Sequence, residues 1–476
     1  MSDVETDAKC PYDLGGNLRT KSRRSLAVVT AAILALLAPV TATADAIPAA
    51  RSLVATAAED RMANTGLVQE IGDKPSKFHA LPEESQVSPQ SDCTETKRNL
   101  KVLRESGQKQ VVCFEWQTRE EFAETRGLSS SSTVVWCGTQ SANQVWVTRD
   151  SICSVRGVVI VIMDTTTGVV YGKAYGAVEQ EIDTQNAIPE FFEYMKFDLY
   201  TADVATEGMT VEVKATCSLD TSCQQSSGPW DAPRPIVAGG SIDGTFTRLW
   251  PSTPAGNKSF LISYVMTVNV NGLWGNTKWG GNGDPGDGQY LVRCDFQVSA
   301  YAGCVVPAFT PTFEVSTKYP QARAFVGMVQ ASMSTHPGWE GHGQPLHRES
   351  SEIAATLNRA VVCDSTFTPN ASTPPPVQCD EWPFAKSKES GRQFGVTSGT
   401  QCQQYSVVSQ TIDGKVYVSL TWPGANQGKM PPASAKCARA SMPKVQNEGV
   451  GGDLGRKTTE WRLLENDAYW VDAGQP

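Results

Sequence analysis

Short runs of β-branched and aromatic residues dominate the middle of the chain. Between residues 131 and 335 these runs are continuously apolar or alternate apolar with polar positions, and Gly, Asn, Pro and Asp separate them. Clear examples are residues 145–148, 158–163, 209–214 and 260–270. Strands with this spacing and punctuation are typical of an antiparallel sandwich. We therefore predict a β-rich, sandwich-like domain over residues 131–335.

Helical periodicity returns after this region. Ile353, Leu357 and Val361 recur at a spacing of four residues and follow Ser350 and Ser351. The apolar spacing predicts a helix that ends near the next cysteine, and either serine is a suitable N-cap.

A hairpin is predicted further along. Residues 405–412 and 415–420 are two strand-like runs on either side of Asp413 and Gly414, and Asp-Gly is a strong hairpin signal. A helix followed by a hairpin predicts a small α+β domain over residues 340–476, so the fold class is multidomain.

The N-terminus has the pattern of a secretory signal peptide over residues 1–46. Lys21, Arg23 and Arg24 precede an apolar run at 26–40, and a small-residue cleavage motif follows at 44–46. The alternative is a membrane anchor, but the run is shorter than the roughly 20 apolar residues that span a bilayer. We expect an exported, extracellular protein with no membrane segment after cleavage. Residues 47–130 are predicted to be a linking segment, partly helical or disordered.

The cysteine content agrees with export. The chain has thirteen cysteines, and removal of the leader with Cys10 leaves an even number, which predicts disulfides. Spacing suggests that neighbours pair, although sequence alone does not fix the connectivity. The expected pairs are Cys93 with Cys113, Cys137 with Cys153, Cys217 with Cys223, Cys294 with Cys304, Cys363 with Cys379, and Cys402 with Cys437. The absence of Cys-x-x-Cys argues against a zinc or thioredoxin-like centre.

The charge balance is acidic overall. A formal net charge of −9 disfavours a protein that binds nucleic acid through a large basic field. Acidic and basic residues nearly balance over residues 340–476, so the excess acidity lies upstream.

Residues 379–391 concentrate the candidate chemistry. This segment carries three carboxylates, Asp380, Glu381 and Glu389, together with two lysines. Pro383 suits the first turn of a helix, which would place Asp380 and Glu381 just before a helix start. Neighbouring carboxylates are costly unless a cation compensates them, and a hard divalent metal is a natural partner. The alternative is a solvated acidic cap at a helix N-terminus.

The same segment resembles a known family. Its Cys-Asp-Glu-Trp-Pro-Phe-Ala sequence at 379–385 is similar to the signature of the NucA/NucB deoxyribonucleases. Four further blocks resemble family motifs in the same order: residues 345–348, Asn358-Arg359 with Cys363, a Gly-rich loop at 443–452 with Asn447, and residues 462–471. The sequence departs from the pattern at Ser390, Glu448 and Glu465-Asn466. Residues 293–295 and 303–305 resemble, more weakly, regions that precede this nuclease in longer exported proteins.

The resemblance implies a secreted, metal-dependent endonuclease that hydrolyses phosphodiester bonds of DNA. Asp380 and Glu381 would be the catalytic residues, one as general base and one toward the metal, with the order left open. Glu389 and Asn447 would complete the environment of a divalent metal ion, Mg²⁺ or Mn²⁺. No histidine follows His347 in the chain. The general base is therefore either a carboxylate of the motif or His347. Candidate contacts to the phosphates of the DNA substrate are Arg359, Lys386, Lys388 and Arg392.

Ordinary roles compete with these assignments. The lysines are equally explained as solvated side chains, and Arg359 as a structural ion pair. A second hypothesis makes the chain a non-catalytic secreted protein whose β-rich domain binds an extracellular polymer and whose nuclease domain has decayed. A third treats the β-rich domain as an inhibitory or delivery module for a nuclease.

Three smaller features leave alternatives open. His336, His342 and His347 form either a three-histidine metal site or incidental members of a Gly-rich loop. Residues 282–287 suit weak calcium binding or a simple turn. Trp274 and Trp279 would either stack on sugars or bases, or fill the core of the sandwich.

Overall fold

The computed structural model describes residues 78–81, 92–126, 135–138, 144–226, 228, 230–281, 290–412, 415–421 and 432–475. All of them belong to one compact unit, Met62–Pro476. The predicted signal peptide, the 282–287 turn and the Asp413-Gly414 dipeptide lie outside the described residues. No helix within the described ranges is long and apolar enough to cross a membrane.

An eight-stranded antiparallel sheet, which we call sheet A, forms the first layer. Its strands follow the spatial order β1-β3-β4-β5-β6-β10-β8, and β2 also pairs with β4. They are β1 (His79–Ala80), β2 (Gln110–Trp116), β3 (Val145–Val147), β4 (Ser151–Asp164), β5 (Val170–Thr184), β6 (Glu190–Ala202), β8 (Gln224–Gln225) and β10 (Ser241–Leu249). Strand β4 is buried along almost its whole length, which explains why its β-branched run is continuous rather than alternating.

A six-stranded antiparallel sheet, sheet B, forms the second layer. Its order is β14-β13-β11-β7-β9, with β12 paired to β11. The strands are β7 (Met209–Ser218), β9 (Arg234–Ile236), β11 (Asn257–Val270), β12 (Leu273–Gly280), β13 (Leu291–Asp295) and β14 (Gly303–Val305). Both sheets contribute to a single hydrophobic cluster, with Val158 and Phe197 from sheet A and Val211 and Ile262 from sheet B. This arrangement agrees with the predicted β-rich, sandwich-like region.

Within the described residues, short helices and two strands, β1 and β2, precede the predicted β-rich domain. The helices are α1 (Asp92–Arg98), α2 (Leu100–Glu105) and α3 (Arg119–Arg126). Strand β2 also lies in this predicted linking segment, and it pairs with β4 from Gln110 opposite Asp164 to Trp116 opposite Val158. Part of the linking segment is therefore integral to sheet A.

The C-terminal part combines three helices with two small sheets. The helices are α4 (Pro320–Ser332), α5 (Glu352–Val362) and α6 (Lys444–Glu460). One sheet has the order β15-β21-β16 and the other β17-β20-β18-β19. Their strands are β15 (Thr312–Glu314), β16 (Leu346–His347), β17 (Val377–Trp382), β18 (Gln403–Ile412), β19 (Lys415–Thr421), β20 (Ala438–Pro443) and β21 (Ala468–Asp472).

These C-terminal elements share a second hydrophobic core. Phe313 and Phe325 pack in it with Trp382, Val450 and Tyr469. The second core therefore begins at β15 and α4, whose residues fall inside the range predicted for the sandwich.

The predicted helix and hairpin are present, with one difference. Ser351 caps α5 by accepting a hydrogen bond from the backbone N–H of Ala354, and β18 pairs with β19 across the predicted turn. However, the apolar positions that predicted the helix are exposed at Ile353 (76%) and Leu357 (44%). Ala355, Asn358 and Val362, on the opposite face, are buried instead.

Two local predictions were wrong. Residues 383–390 form turns rather than a helix after Pro383, and the next helical element is the short 3-10 turn Gly391–Phe394. Residues 444–452, expected as a Gly-rich loop, belong to α6.

All six predicted cysteine pairs are confirmed as disulfides. Four lie in the linking segment and the two large sheets, and two lie in the C-terminal part. Cys363–Cys379 joins the end of α5 to β17, and Cys402–Cys437 joins the start of β18 to the segment before β20. Each of these links therefore closes a short loop within its own region.

Candidate active site on the edge strand of the C-terminal sheet

Asp380 and Glu381, which we call the acidic pair, are adjacent residues of the edge strand β17. They lie opposite Ala440 and Arg439 of β20 in an uninterrupted antiparallel register. Because successive side chains of a strand alternate between its faces, the two carboxylates leave β17 on opposite sides. Both are nevertheless buried, with exposed fractions of 7% and 5%.

Glu381 lies against helix α5. Its Oε1 accepts a hydrogen bond from Nε of Arg359 at 3.2 Å, and the arginine side chain is mostly exposed. The Cys363–Cys379 disulfide holds the end of α5 beside β17 and so supports this contact. Burial raises the pKa of Glu381 despite the opposing effect of Arg359.

Asp380 is less well compensated. Its Oδ1 accepts a hydrogen bond from the backbone N–H of Glu381 at 3.0 Å. Burial, and then the charge of Glu381, raise the pKa of Asp380 to about 8, whereas the backbone hydrogen bond from Glu381 and the charge of Arg359 act to lower this pKa. The positive charge of Arg359 therefore acts on two buried carboxylates.

Asn447 reaches the same strand from α6. Its Nδ2 donates to Oε1 of Gln378 at 3.0 Å and to the backbone carbonyl of Cys379 at 3.4 Å. Gln378 shares the β17 face of Asp380, because the two are two residues apart. Asn447 thus contacts the strand on the face of Asp380, and its amide oxygen is left as the acceptor.

Glu389 is directed to a histidine. Its Oε1 lies 2.7 Å from Nδ1 of His347, and its Oε2 accepts from the backbone N–H of the same residue at 2.8 Å. Among the described residues, neither member of the acidic pair is hydrogen-bonded to His347 or Glu389. Glu389 is therefore engaged with His347 in this structure.

The four basic side chains that were predicted to contact phosphates differ in their ion-pair partners. Lys386 pairs with Glu352, and Lys388 pairs with Glu349 at 2.7 Å and with Glu465. Arg392 is half-buried in the 3-10 turn, and no carboxylate of the described residues lies within 4.0 Å of it. Arg359 is the one of the four that contacts the acidic pair.

The described residues contain no group of three or more His, Cys, Asp or Glu side chains placed to hold a metal ion. A three-carboxylate centre with Glu389 therefore does not fit. The three histidines do not form one cluster either. His342 stacks on Trp339, whereas His347 pairs with Glu389.

A hydrated Mg²⁺ or Mn²⁺ does fit part of the predicted set. Mg²⁺ usually keeps several waters and uses one or two protein carboxylates rather than a closed cage. Asp380 is a buried carboxylate with no ion pair to a basic side chain of the described residues, and Asn447 contacts Gln378, which lies on the same face of β17. These two residues would hold such an ion.

The sequence did not point to the pairing of His347 with Glu389. Both residues lie in blocks that resemble the family, but 42 residues separate them, and only the folded chain brings them together. Pairing of backbone 347–349 with 386–388 makes this contact, through Lys388 N–H to the His347 carbonyl at 2.8 Å and Glu349 N–H to the Lys386 carbonyl at 3.0 Å.

Comparison with protein-family models and with curated proteins found no match to this chain.

Proposed function

We propose that the chain is a secreted, metal-dependent endonuclease that hydrolyses phosphodiester bonds of DNA. One observation carries the proposal: Asp380 and Glu381 are buried at adjacent positions of an edge strand, and among the described residues Arg359 is the one basic side chain that pairs with either of them. A buried charge without a partner is strongly unfavourable, so such an arrangement is seldom kept for stability alone. The five sequence blocks that resemble NucA/NucB deoxyribonucleases support the same activity, and the disulfides suit an oxidising extracellular environment.

The two faces of β17 suggest separate roles for the acidic pair. Asp380, with the amide oxygen of Asn447, would hold a divalent cation, which would stabilise the charge that develops on the phosphate oxygens. Glu381 lies on the face of Arg359 and would take the proton of the attacking water. The exposed guanidinium of Arg359 would bind a non-bridging oxygen of the scissile phosphate.

A plasmid-nicking assay with isosteric variants tests these roles. We expect Asp380→Asn and Glu381→Gln each to lower the rate of nicking by roughly 100-fold or more, as expected for loss of a general base or of a metal ligand. Glu352→Gln is the matched control, because Glu352 is an exposed carboxylate on α5 whose partner is Lys386. Full activity in both acidic-pair variants would overturn the site.

A second candidate is a non-catalytic secreted polymer-binding protein with a decayed nuclease domain. The pairing of Lys386 and Lys388 with carboxylates favours it, because these lysines are then less available to phosphates. It predicts that the folded, oxidised protein cuts no DNA with any divalent metal. Metal-dependent nicking that the acidic-pair variants lack would exclude this candidate.

A further inference from the structure

A large polar cleft lies between the two large sheets and the C-terminal elements. Its volume is about 1140 Å³, and residues 148–150, 184–186, 311–317 and 453–461 contribute to its walls. None of the predicted site residues lines it, so it is separate from the acidic pair. Pockets of roughly 300–1,000 Å³ hold drug-sized molecules, and this cleft is large enough for a segment of a polymer chain.

Hydroxyl and carboxamide groups line both walls of the cleft. Thr148, Thr184, Asn186 and Thr312 already hydrogen-bond to other groups of the protein. The side chains of Gln185 and the exposed Thr317 make no hydrogen bond to another described residue and are available to a ligand. Apolar surface is also present, because the half-buried Trp461 belongs to the same lining. Donors and acceptors interspersed with aromatic surface match a sugar chain, whose rings present hydroxyl groups at their edges and C–H groups on their faces.

The charges in the cleft balance one another. The lining contains four carboxylates and four basic side chains. Arg456 pairs with Asp453, and Lys457 pairs with Glu460 at 2.7 Å. A nucleic acid needs basic groups that are free to replace its counterions, so this lining does not suit one.

We infer that the polar cleft binds a neutral, hydroxyl-rich polymer, namely a segment of an uncharged polysaccharide. Its lining supplies hydrogen bonds and apolar contact without net charge. The inference does not depend on the proposed nuclease activity, since the two sites share no residue. Retention of the protein on a polysaccharide matrix and cleavage of DNA would then be separable properties of one chain.

Isothermal titration calorimetry on the full mature chain tests this inference. The probes are chitohexaose and cellohexaose, which are uncharged hexasaccharides, and hexathymidylate as an anionic chain. We expect at least one hexasaccharide to bind and hexathymidylate not to bind the cleft. Thr317→Trp adds bulk to the lining, and Gln185→Ala removes a carboxamide but keeps the backbone hydrogen bond from Cys304 to the Gln185 carbonyl.

The variants have a matched control. Thr317→Trp should weaken hexasaccharide binding by about tenfold or more and Gln185→Ala by a smaller factor, because the first blocks the cleft and the second removes one polar contact. Thr94→Trp places the same bulk on α1, outside the cleft, and should leave binding unchanged. Gln185→Ala also keeps the test valid if Thr317→Trp fails to fold.

Three results would overturn the inference. The first is that neither hexasaccharide binds the folded protein. The second is that both cleft variants bind as tightly as the unaltered chain. The third is that hexathymidylate binds with strong salt dependence and loses its affinity in the cleft variants, which would make the cleft a nucleic-acid site.

Discussion

Arg293 of β13 binds Asp467 of the C-terminal part through two hydrogen bonds, from Nη1 to Oδ1 at 2.7 Å and from Nη2 to Oδ2 at 2.6 Å. Arg149 adds a third contact to the same carboxylate at 3.0 Å. Burial would raise the pKa of Asp467, but the hydrogen bond and charge of Arg293, followed by Arg149, hold the pKa below its usual value. The two predicted domains are therefore joined by an ionic contact that neither could make alone.

Asp295→Asn should destabilise this junction. Asp295 and Arg462 form a fully buried ion pair, and Arg462 also donates to the backbone carbonyl of Asn186. The substitution leaves the arginine charge buried and uncompensated, which should cost about 3–5 kcal/mol in the free energy of unfolding. Denaturant unfolding measures the change. Glu448→Gln, which alters an exposed pair on α6, is the control and should have little effect.

Fragments should reveal where the C-terminal core begins. A fragment of residues 340–476 lacks Phe313 and Phe325, which lie in the second hydrophobic core. We expect it to show no cooperative thermal transition by circular dichroism. A fragment of residues 310–476 restores these residues and should unfold cooperatively, although at a lower temperature than the full chain. Equal stability of the two fragments would contradict this account of the core.

Separate roles for Asp380 and Glu389 predict different responses to metal concentration. Asp380→Asn and Asn447→Ala should raise the Mg²⁺ or Mn²⁺ concentration needed for half-maximal nicking by about tenfold or more. Glu389→Gln should leave that concentration nearly unchanged, because both Glu389 oxygens are engaged with His347. Titration of nicking rate against metal distinguishes the cases. A large increase in Glu389→Gln would restore Glu389 to the metal environment.

Buried acids in sheet A predict a loss of stability at higher pH. Burial, and then the charge of Asp183, raise the pKa of Glu181, whereas a hydrogen bond from the Trp136 N–H lowers it. A carboxyl group whose pKa is raised in the folded state stabilises fully below its unfolded pKa, and this contribution falls as the pH rises through the folded pKa. The unfolding free energy should therefore fall above about pH 5, where unfolded carboxyl groups ionise.

Glu181→Gln isolates this effect. The glutamine can still accept the Trp136 hydrogen bond but does not ionise, so the dependence of stability on pH should flatten. Glu120→Gln changes an exposed glutamate on α3 and should preserve the original slope. Chemical denaturation at several pH values provides the measurement. Identical slopes for Glu181→Gln and the unaltered chain would show that Glu181 does not carry the loss.

The β-rich region and the disulfides could be predicted because their signals are local. Continuous or alternating apolar runs indicate strands directly, and each cysteine pairs with its neighbour in the mature sequence. The burial of Trp279, which stacks on Tyr264, and the exposure of Trp274 (58%) depend instead on which strand face meets the opposite sheet. Of two tryptophans on one strand, one is therefore buried and the other exposed.

Tertiary contacts explain the two local predictions that were wrong. Glycines disfavour helix by about 1 kcal/mol each, so the Gly-rich stretch predicted a loop. Yet a Cβ atom at Gly449 would lie 2.3 Å from the Tyr319 ring, so glycine allows α6 to pack closely there. After Pro383, pairing of residues 386–388 with 347–349 replaces the helix that proline would have started.

The candidate site was predictable only in part. Asp380 and Glu381 are adjacent in sequence, so their proximity followed from the motif. The contact of Arg359 with Glu381 spans 22 residues and depends on how α5 is tied to β17. Glu389 was grouped with the acidic pair from a predicted helix after Pro383 and from the family resemblance, whereas the turns at 383–390 place it against His347.

Nicking of supercoiled plasmid by the purified, oxidised, mature protein tests the central claim most directly. The assay compares Mg²⁺, Mn²⁺ and an excess of chelator at equal protein concentration. The account predicts conversion of supercoiled to open-circular and linear DNA with metal, and none with chelator. Intact plasmid under every metal condition, from a sample shown to be folded with its six disulfides formed, would contradict it.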